Sequence, residues 1–208
     1  MRGAVPAVTS PEEADELRIV AEATLPTVHG PFRVIAFEGF EDGRDHIALV
    51  RGDVRGRAGV LVRIHSECLT GDVMGSLRCD CRAQLEAAIA AIARDGVGAV
   101  LYLRQEGRGL GLTNKIRAYA LQDEGLDTLD ANTALGFKDD ERSYEMAVDM
   151  IRCLGIESVR LMTNNERKVE GLRAGGVAVV ERVPARTEPT PFNAAYLRAK
   201  KIRFGHDL

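Results

Sequence analysis

The 208-residue chain has no apolar run long enough to form a membrane helix, which needs about 20 residues; its longest apolar or glycine stretches are of the size of Val97 to Leu103. A helical membrane span is therefore excluded. It also lacks an excess of one charge: 28 Lys plus Arg stand against 31 Asp plus Glu. No global positive field is available to collect nucleic acid or anionic lipid, so nucleic-acid and membrane partners are not expected, and any phosphate site must be local. The opening residues, MRGAVPAVTSPEEADELR, have no apolar segment of the secretory kind and turn acidic early, so the expected location is the cytoplasm. Cysteines are scarce, four in all. In a reducing compartment they do not make a disulfide framework, and a patterned set binds metal or does chemistry. No internal repeat is found. What is present is a globular mixture, 45% apolar and 28% charged, too hydrophobic for a disordered chain and long enough for one large domain or two small ones.

The chain reads as α/β of the mixed α+β kind, with an antiparallel β-rich N-terminal part followed by alternating strands and helices. From about Leu17 to Ser66, the segments RIVAEATLP, PFRVIAFEGF, DHIALVRGDV and GVLVRIHSE are separated by Gly, Asp and Pro and predict strands in an antiparallel meander. From Arg82 onward the period changes. Leu85, Ile89 and Ile92 stand at helical spacing before the apolar strand GAVLYL. Helices are predicted through NKIRAYALQDEG, ERSYEMAVDMIRCLG and ERKVEGLRAGG, strands at SVRLMT and VAVVERV, and a last helix at NAAYLRAKKIRFG after the proline-rich PARTEPTP. That rhythm predicts an α/β layer. Residues 1–16 read as an N-terminal extension and 17–208 as a single domain.

Three thiols fall close together: Cys68, Cys79 and Cys81, in C-L-T-G-D-V-M-G-S-L-R-C-D-C. Three soft ligands suit Zn²⁺. A structural zinc site fills four protein positions, whereas a catalytic one keeps three and leaves the fourth for water. Two readings stand here: an open three-thiolate site, or a closed one completed by His65 or Cys153. Cys153, isolated in a helical run, also reads as simple packing.

The segment LYLRQEGRGLGLTNKIRAYAL carries Arg104, Arg108, Lys115 and Arg117 against the single acid Glu106, with glycines at 107, 109 and 111. Backbone of this kind followed by a helix start suits an anion. It contains neither the Walker pattern nor the dinucleotide fingerprint, and a glycine-rich turn with solvated arginines is the alternative. Two more polar clusters, GFKDDERSYE around Asp140 and Arg142 and LMTNNERKVE around Thr163 and Lys168, flank regular elements. Each is equally readable as a charged helix start.

Taken in order, RIHSECLTGD, RCDC, RQEGRGLGL, NKIRAYALQD, LGFKDDER and TNNERKVE resemble GTP cyclohydrolase II, the family that starts riboflavin biosynthesis. The likeness runs from about Leu17 to Arg182 and continues more loosely beyond. It implies a homodimeric α/β enzyme, its catalytic domain spanning 17–208, that converts GTP and water to formate, pyrophosphate and 2,5-diamino-6-ribosylamino-4(3H)-pyrimidinone 5′-phosphate, with one Zn²⁺ per subunit and Mg²⁺ on the GTP phosphates. Carried over residue by residue, Cys68, Cys79 and Cys81 match the zinc ligands. Arg142 matches the residue assigned to attack at the α-phosphorus, Asp140 the general base beside it, and Tyr119 the tyrosine associated with completing the imidazole-ring hydrolysis. Arg63, Ile64, His65, Ser66, Glu67, Gln84, Glu106, Gly107, Arg108, Thr128, Thr163 and Lys168 match the substrate contacts, His65 being expected as a substrate or supporting group rather than a metal ligand.

An arginine nucleophile is unusual chemistry, because its guanidinium is almost always protonated. The alternative role for Arg142 is to stabilise charge on the phosphate. Tyr119 separates the full reaction from that of relatives that open the ring without releasing formate, which lack it. A non-catalytic, zinc-stabilised nucleotide-binding module is the remaining alternative. Two positions depart from the family pattern: Arg82 stands where glycine is frequent after the third cysteine, and Glu166 where proline usually follows the Asn-Asn pair. The expected effects are a perturbed zinc or phosphate environment at Arg82 and a less pre-set helix start at Glu166.

Overall fold

The computed structural model describes residues 17–126, 128–136, 142–194 and 198. Among these residues seven strands form one sheet: β1 (Arg18–Thr27), β2 (Gly30–Glu38), β3 (Ile47–Arg51), β4 (Val60–Ser66), β5 (Gly98–Leu103), β6 (Ser158–Met162) and β7 (Ala178–Val183), in spatial order β1-β2-β3-β5-β4-β6-β7. Among the described residues five α-helices accompany them: α1 (Cys81–Asp95), α2 (Gly111–Asp123), α3 (Thr128–Ala134), α4 (Glu145–Cys153) and α5 (Glu166–Ala174). The mixed α/β architecture expected from the sequence is the one observed.

One detail of the expected topology is corrected. Strands β1, β2 and β3 do pair antiparallel in sequence, but β4 does not continue the meander. Strand β5 inserts between β3 and β4, antiparallel to the first and parallel to the second. Strand β6 then pairs parallel with the other side of β4, and β7 parallel with β6. The reason lies in burial. Six of the seven residues of VLVRIHS in β4 are buried, and a strand covered on both faces belongs in the parallel, helix-flanked part of a sheet rather than in a half-solvated hairpin.

The centre of the sheet is covered on both sides. Leu61 and Val100 face α1 and pack on Ala88 and Ile92. Their neighbours Val60, Val62, Ile64, Ala99, Leu101 and Leu103 point the other way, onto Ala147, Val148, Met150 and Ile151 of α4 and Leu172 of α5, as the two-residue alternation of a strand requires. Local signals end these elements. Helix α1 stops at Gly96, in a left-handed conformation with its N–H donated to the Ile92 carbonyl. Helix α5 starts at Asn165, whose side chain accepts from the Arg167 N–H at 3.0 Å. That cap supplies what proline at 166 would have pre-set, so Glu166 leaves the helix start intact. Helix α3 was not legible in the sequence pattern. Most of the expected C-terminal helix lies outside the described residues.

Candidate active site

Strands β5, β4 and β6 run parallel, so their C-terminal ends share one edge of the sheet. The connection after β4 carries α1 to one face and that after β5 carries α4 to the other, and ligands of open α/β sheets bind where connections diverge in this way. The sequence clusters sit there. Glu67 and Cys68 follow β4, Arg104 to Arg108 follow β5, and Thr163 to Lys168 follow β6.

Cys68 precedes a single π-helical turn, Leu69–Val73, which returns the chain toward Cys79 and toward Cys81, the first residue of α1. The three Sγ atoms lie within 4.8 Å of one another, and Cys68 and Cys79 are 3.6 Å apart. That is beyond a disulfide bond of about 2.05 Å and close to the roughly 3.8 Å between sulfurs that each sit about 2.3 Å from one tetrahedral ion. None of the four cysteines forms a disulfide. Gly71 makes the approach possible, since a Cβ there would lie 2.9 Å from Cys79 Sγ and 3.0 Å from Cys68 Sγ. Hydrogen bonds from the Cys79 and Cys81 thiols, helped by the Lys115 ammonium, hold Cys68 well below the usual thiol range despite its burial, and the shared proton pushes Cys79 up. The donor set fits a soft divalent ion. Neither candidate for a fourth ligand joins the group among the described residues. His65 bonds Asp72 at 3.0 Å, and Cys153 packs at the end of α4 with its Sγ 3.6 Å from the Leu17 carbonyl.

Asp72 organises the turn. Its carboxylate accepts from the Cys68 N–H at 3.0 Å and the Tyr102 hydroxyl at 2.9 Å, and it contacts His65 Nε2. Burial lowers the His65 pKa. The ring is neutral at pH 7, with Nε2–H toward Asp72 and a buried Nδ1 that has no partner within the described chain.

The glycine-rich segment forms a 3-10 turn, Glu106–Gly109, rather than the start of a long helix. Gly107 and Arg108 both take φ near 62°, and Arg108 is the one non-glycine with positive φ among the described residues. Such a conformation costs about 1–3 kcal/mol and collects at functional positions. Glu106 holds the turn: Oε1 accepts from Gly107 N–H and Lys115 Nζ, each at 2.8 Å, while Oε2 accepts from Leu69 N–H at 2.6 Å. Its carboxylate is therefore engaged inside the chain. Glu67 is likewise paired with Arg104 at 3.0 Å, and Ser66 accepts from Gln105 at 3.1 Å.

Tyr119, on α2, reaches the same centre, its hydroxyl 3.4 Å from Thr70 Oγ1, which in turn lies 3.7 Å from Cys68 Sγ. Burial raises its pKa, so the phenol keeps its proton at neutral pH and can donate it. On the α1 side, Arg63 donates to Gln84 at 2.5 Å and to the Met162 carbonyl at 2.9 Å, and Gln84 donates onward to Asp80 at 2.5 Å. Burial lowers the Arg63 pKa, with Cys81 and Arg142 among the charges that act on it. Arg142 is half-buried just before α4. Lys168 is buried and donates to the Ile64 carbonyl at 2.7 Å, and Thr163 Oγ1 accepts from Asn165 N–H. Thr128 opens α3. Asp140 lies outside the described residues. Arg82 turns away to an exposed pair with Glu86 at 3.0 Å. Residue-type reasoning counted Lys115 only among the cations of an anion-binding segment, not as a partner of Cys68, and passed over Asp72 and Gly71, although both stand close to Cys68 in CLTGD.

A family model for GTP cyclohydrolase II matches residues 18–184. The chain belongs to the GTP cyclohydrolase II family. It is 56% identical over 193 residues to GTP cyclohydrolase-2 of Proteus mirabilis, covering 93% of this chain and 97% of that one. The GTP cyclohydrolase-2 of Escherichia fergusonii is 55% identical, with 93% of this chain and 98% of the relative covered. That of Klebsiella pneumoniae subsp. pneumoniae is also 55% identical, with 93% and 96% covered. The enzyme type and its place in riboflavin biosynthesis thus agree with the order of motifs, and the thiol cluster, the glycine turn and the Thr163–Lys168 segment meet at one sheet edge.

Proposed function

We propose that the chain hydrolyses GTP to 2,5-diamino-6-ribosylamino-4(3H)-pyrimidinone 5′-phosphate, formate and pyrophosphate, the first step of riboflavin biosynthesis. The observation that carries this reading is the three-sulfur group at the C-terminal edge of the parallel strands, in a chain that covers nearly the full length of its relatives.

Cys68, Cys79 and Cys81 would hold Zn²⁺. An ion with three protein ligands and an open fourth position supplies Lewis acidity that makes water a nucleophile near neutral pH. Tyr119, protonated and linked to the thiol group through Thr70, supplies a proton donor for the last part of the ring hydrolysis and release of formate. Arg108, Lys168 and Arg142 supply positive charge for the phosphates. Arg142 is assigned to the α-phosphorus, either as nucleophile or as stabiliser of the transition-state charge; Asp140 is assigned as its base. Arg63 and Asp80 fix the Gln84 amide from its two ends, and its second N–H and remaining lone pair are the groups offered to the guanine edge. Thr163 and Thr128 complete the proposed substrate contacts, with Ile64 to Glu67 forming the wall after β4. Glu106 and Glu67 are paired within the chain and do not form a cage for Mg²⁺, which enters on the nucleotide phosphates as part of the substrate. We place the reaction in the cytoplasm, carried out by a homodimer. Support for association comes from large apolar side chains left exposed, including Met74, Leu77 and Ile116. No helix among the described residues is long and apolar enough to cross a membrane.

The test is product analysis of the purified protein incubated with GTP, Mg²⁺ and measured zinc. All three products are expected. GTP consumed without formate would establish the ring-opening paralogue, and GTP bound but intact the non-catalytic module. Cys79→Ser is expected to abolish formate release while some pyrophosphate release persists, and Arg142→Ala to suppress pyrophosphate release with zinc content unchanged. Equal loss of both products in Cys79→Ser would refute the division of labour between metal and arginine.

A further inference from the structure

Three thiolates around one divalent ion carry a net negative charge, which is unfavourable in a site shielded from water unless a cation lies against it. Such a cation is present. Lys115 Nζ donates to Cys68 Sγ at 3.0 Å and to Glu106 Oε1 at 2.8 Å, and both side chains are largely buried, at 11% and 9% exposure. Helix α2 fixes it: Lys115 stands one turn before Tyr119, with its ammonium 5.8 Å from the centre of that ring. Glu106 in turn grips Leu69 N–H, next to the first thiol, and Gly107 N–H in the strained turn. A single ammonium thus touches a metal ligand and the acid that holds the glycine turn.

We propose that Lys115 is a positioning residue that tunes the metal centre, its ammonium drawing electron density from the Cys68 sulfur and so leaving the bound ion a stronger Lewis acid. Groups that hydrogen-bond metal ligands set ligand donation and orientation, and their loss typically reduces metal affinity or activity about 10–100-fold. The proposal rests on the assignment of the three thiols to a metal.

The test uses the full chain loaded with Co²⁺ in place of zinc, because sulfur-to-cobalt charge transfer reports directly on how strongly the thiolates donate. Lys115→Met is expected to bind one Co²⁺ per chain with the charge-transfer band moved to longer wavelength, and to release formate from GTP about 10–100-fold more slowly than wild type. Lys115→Arg, which keeps a cation, is expected to hold the band near its wild-type position. Should Lys115→Met fail to fold, Lys115→Gln reads the same neutral state. A neutral variant with stoichiometric Co²⁺ and an unmoved band would overturn the role of Lys115 while leaving the metal assignment standing. A wild-type protein that develops no charge-transfer band would overturn both.

Discussion

Strand β1, at one edge of the sheet, and strands β4 and β5, at its centre, meet solvent in opposite ways. Strand β1 is exposed along almost its whole length and is held mainly by its pairing with β2 and by surface ion pairs such as Arg33 with Glu22 at 3.1 Å. Strands β4 and β5 are buried on both faces between α1 and the α4–α5 pair. The chemistry-bearing residues gather at the C-terminal ends of the buried strands. Rigid, doubly covered strands hold side chains to within fractions of an ångström, which a site made of sulfurs 3.6 Å apart requires. The antiparallel half reaches that edge through the loop before β3: Arg104 N–H donates to His46 Nδ1 at 2.9 Å, and Arg44 donates to the Arg104 carbonyl. It braces the glycine turn without contributing to the thiol group.

The strongest way to break the contrast is Gly71→Ala, which drives a methyl group into two of the sulfurs. Metal content after dialysis is expected to fall well below one zinc per chain, with formate release lost, while the circular dichroism spectrum is retained. A variant that keeps full zinc would show that the turn yields at that point. Next in size is the packing difference. Leu101→Ala in β5, where the side chain is fully buried, is expected to cost about 2–5 kcal/mol in denaturant unfolding. Leu25→Ala in β1, 40% exposed, is expected to cost less than about 1 kcal/mol. Equal losses would erase the distinction between the halves.

A pH series probes the brace. Burial lowers the His46 pKa below its ordinary value, and Nδ1 accepts the Arg104 N–H bond, so protonation breaks that bond. The unfolded chain then takes up the proton more readily than the folded one. Stability contributed by neutral His46 is therefore present above about pH 6.5 and lost as the pH falls below it, by at most about 1.4 kcal/mol per pH unit for each such imidazole. His46→Gln is expected to make the fall of the unfolding midpoint between pH 7.5 and 5.5 shallower, the remainder belonging to His65, whose pKa burial also lowers, and an unchanged slope would remove the assignment. The smallest effect belongs to Arg82→Ala. Its exposed pair with Glu86 contributes about 0.5 kcal/mol or less, and zinc content is expected to stay the same. A fall in zinc would revive the idea that Arg82 acts on the metal.

Local information was enough for much of this molecule. The alternation of PFRVIAFEGF and the spacing of Leu85, Ile89 and Ile92 mark elements whose period is written in neighbouring residues, and C-L-T-G-D…R-C-D-C names its three thiols directly. Short-range chemistry, in turn propensity, apolar period and ligand type, is carried by residues close together in the chain. Which strand lies beside which is a long-range matter. That β5 slips between β3 and β4, that Glu106 is spent on Leu69 and Lys115 rather than left open, and that Arg82 faces water were settled only when segments distant in sequence packed together. Burial of β4 on both faces selects its neighbours, and those neighbours decide which of many polar side chains meet at the edge where the sulfurs converge.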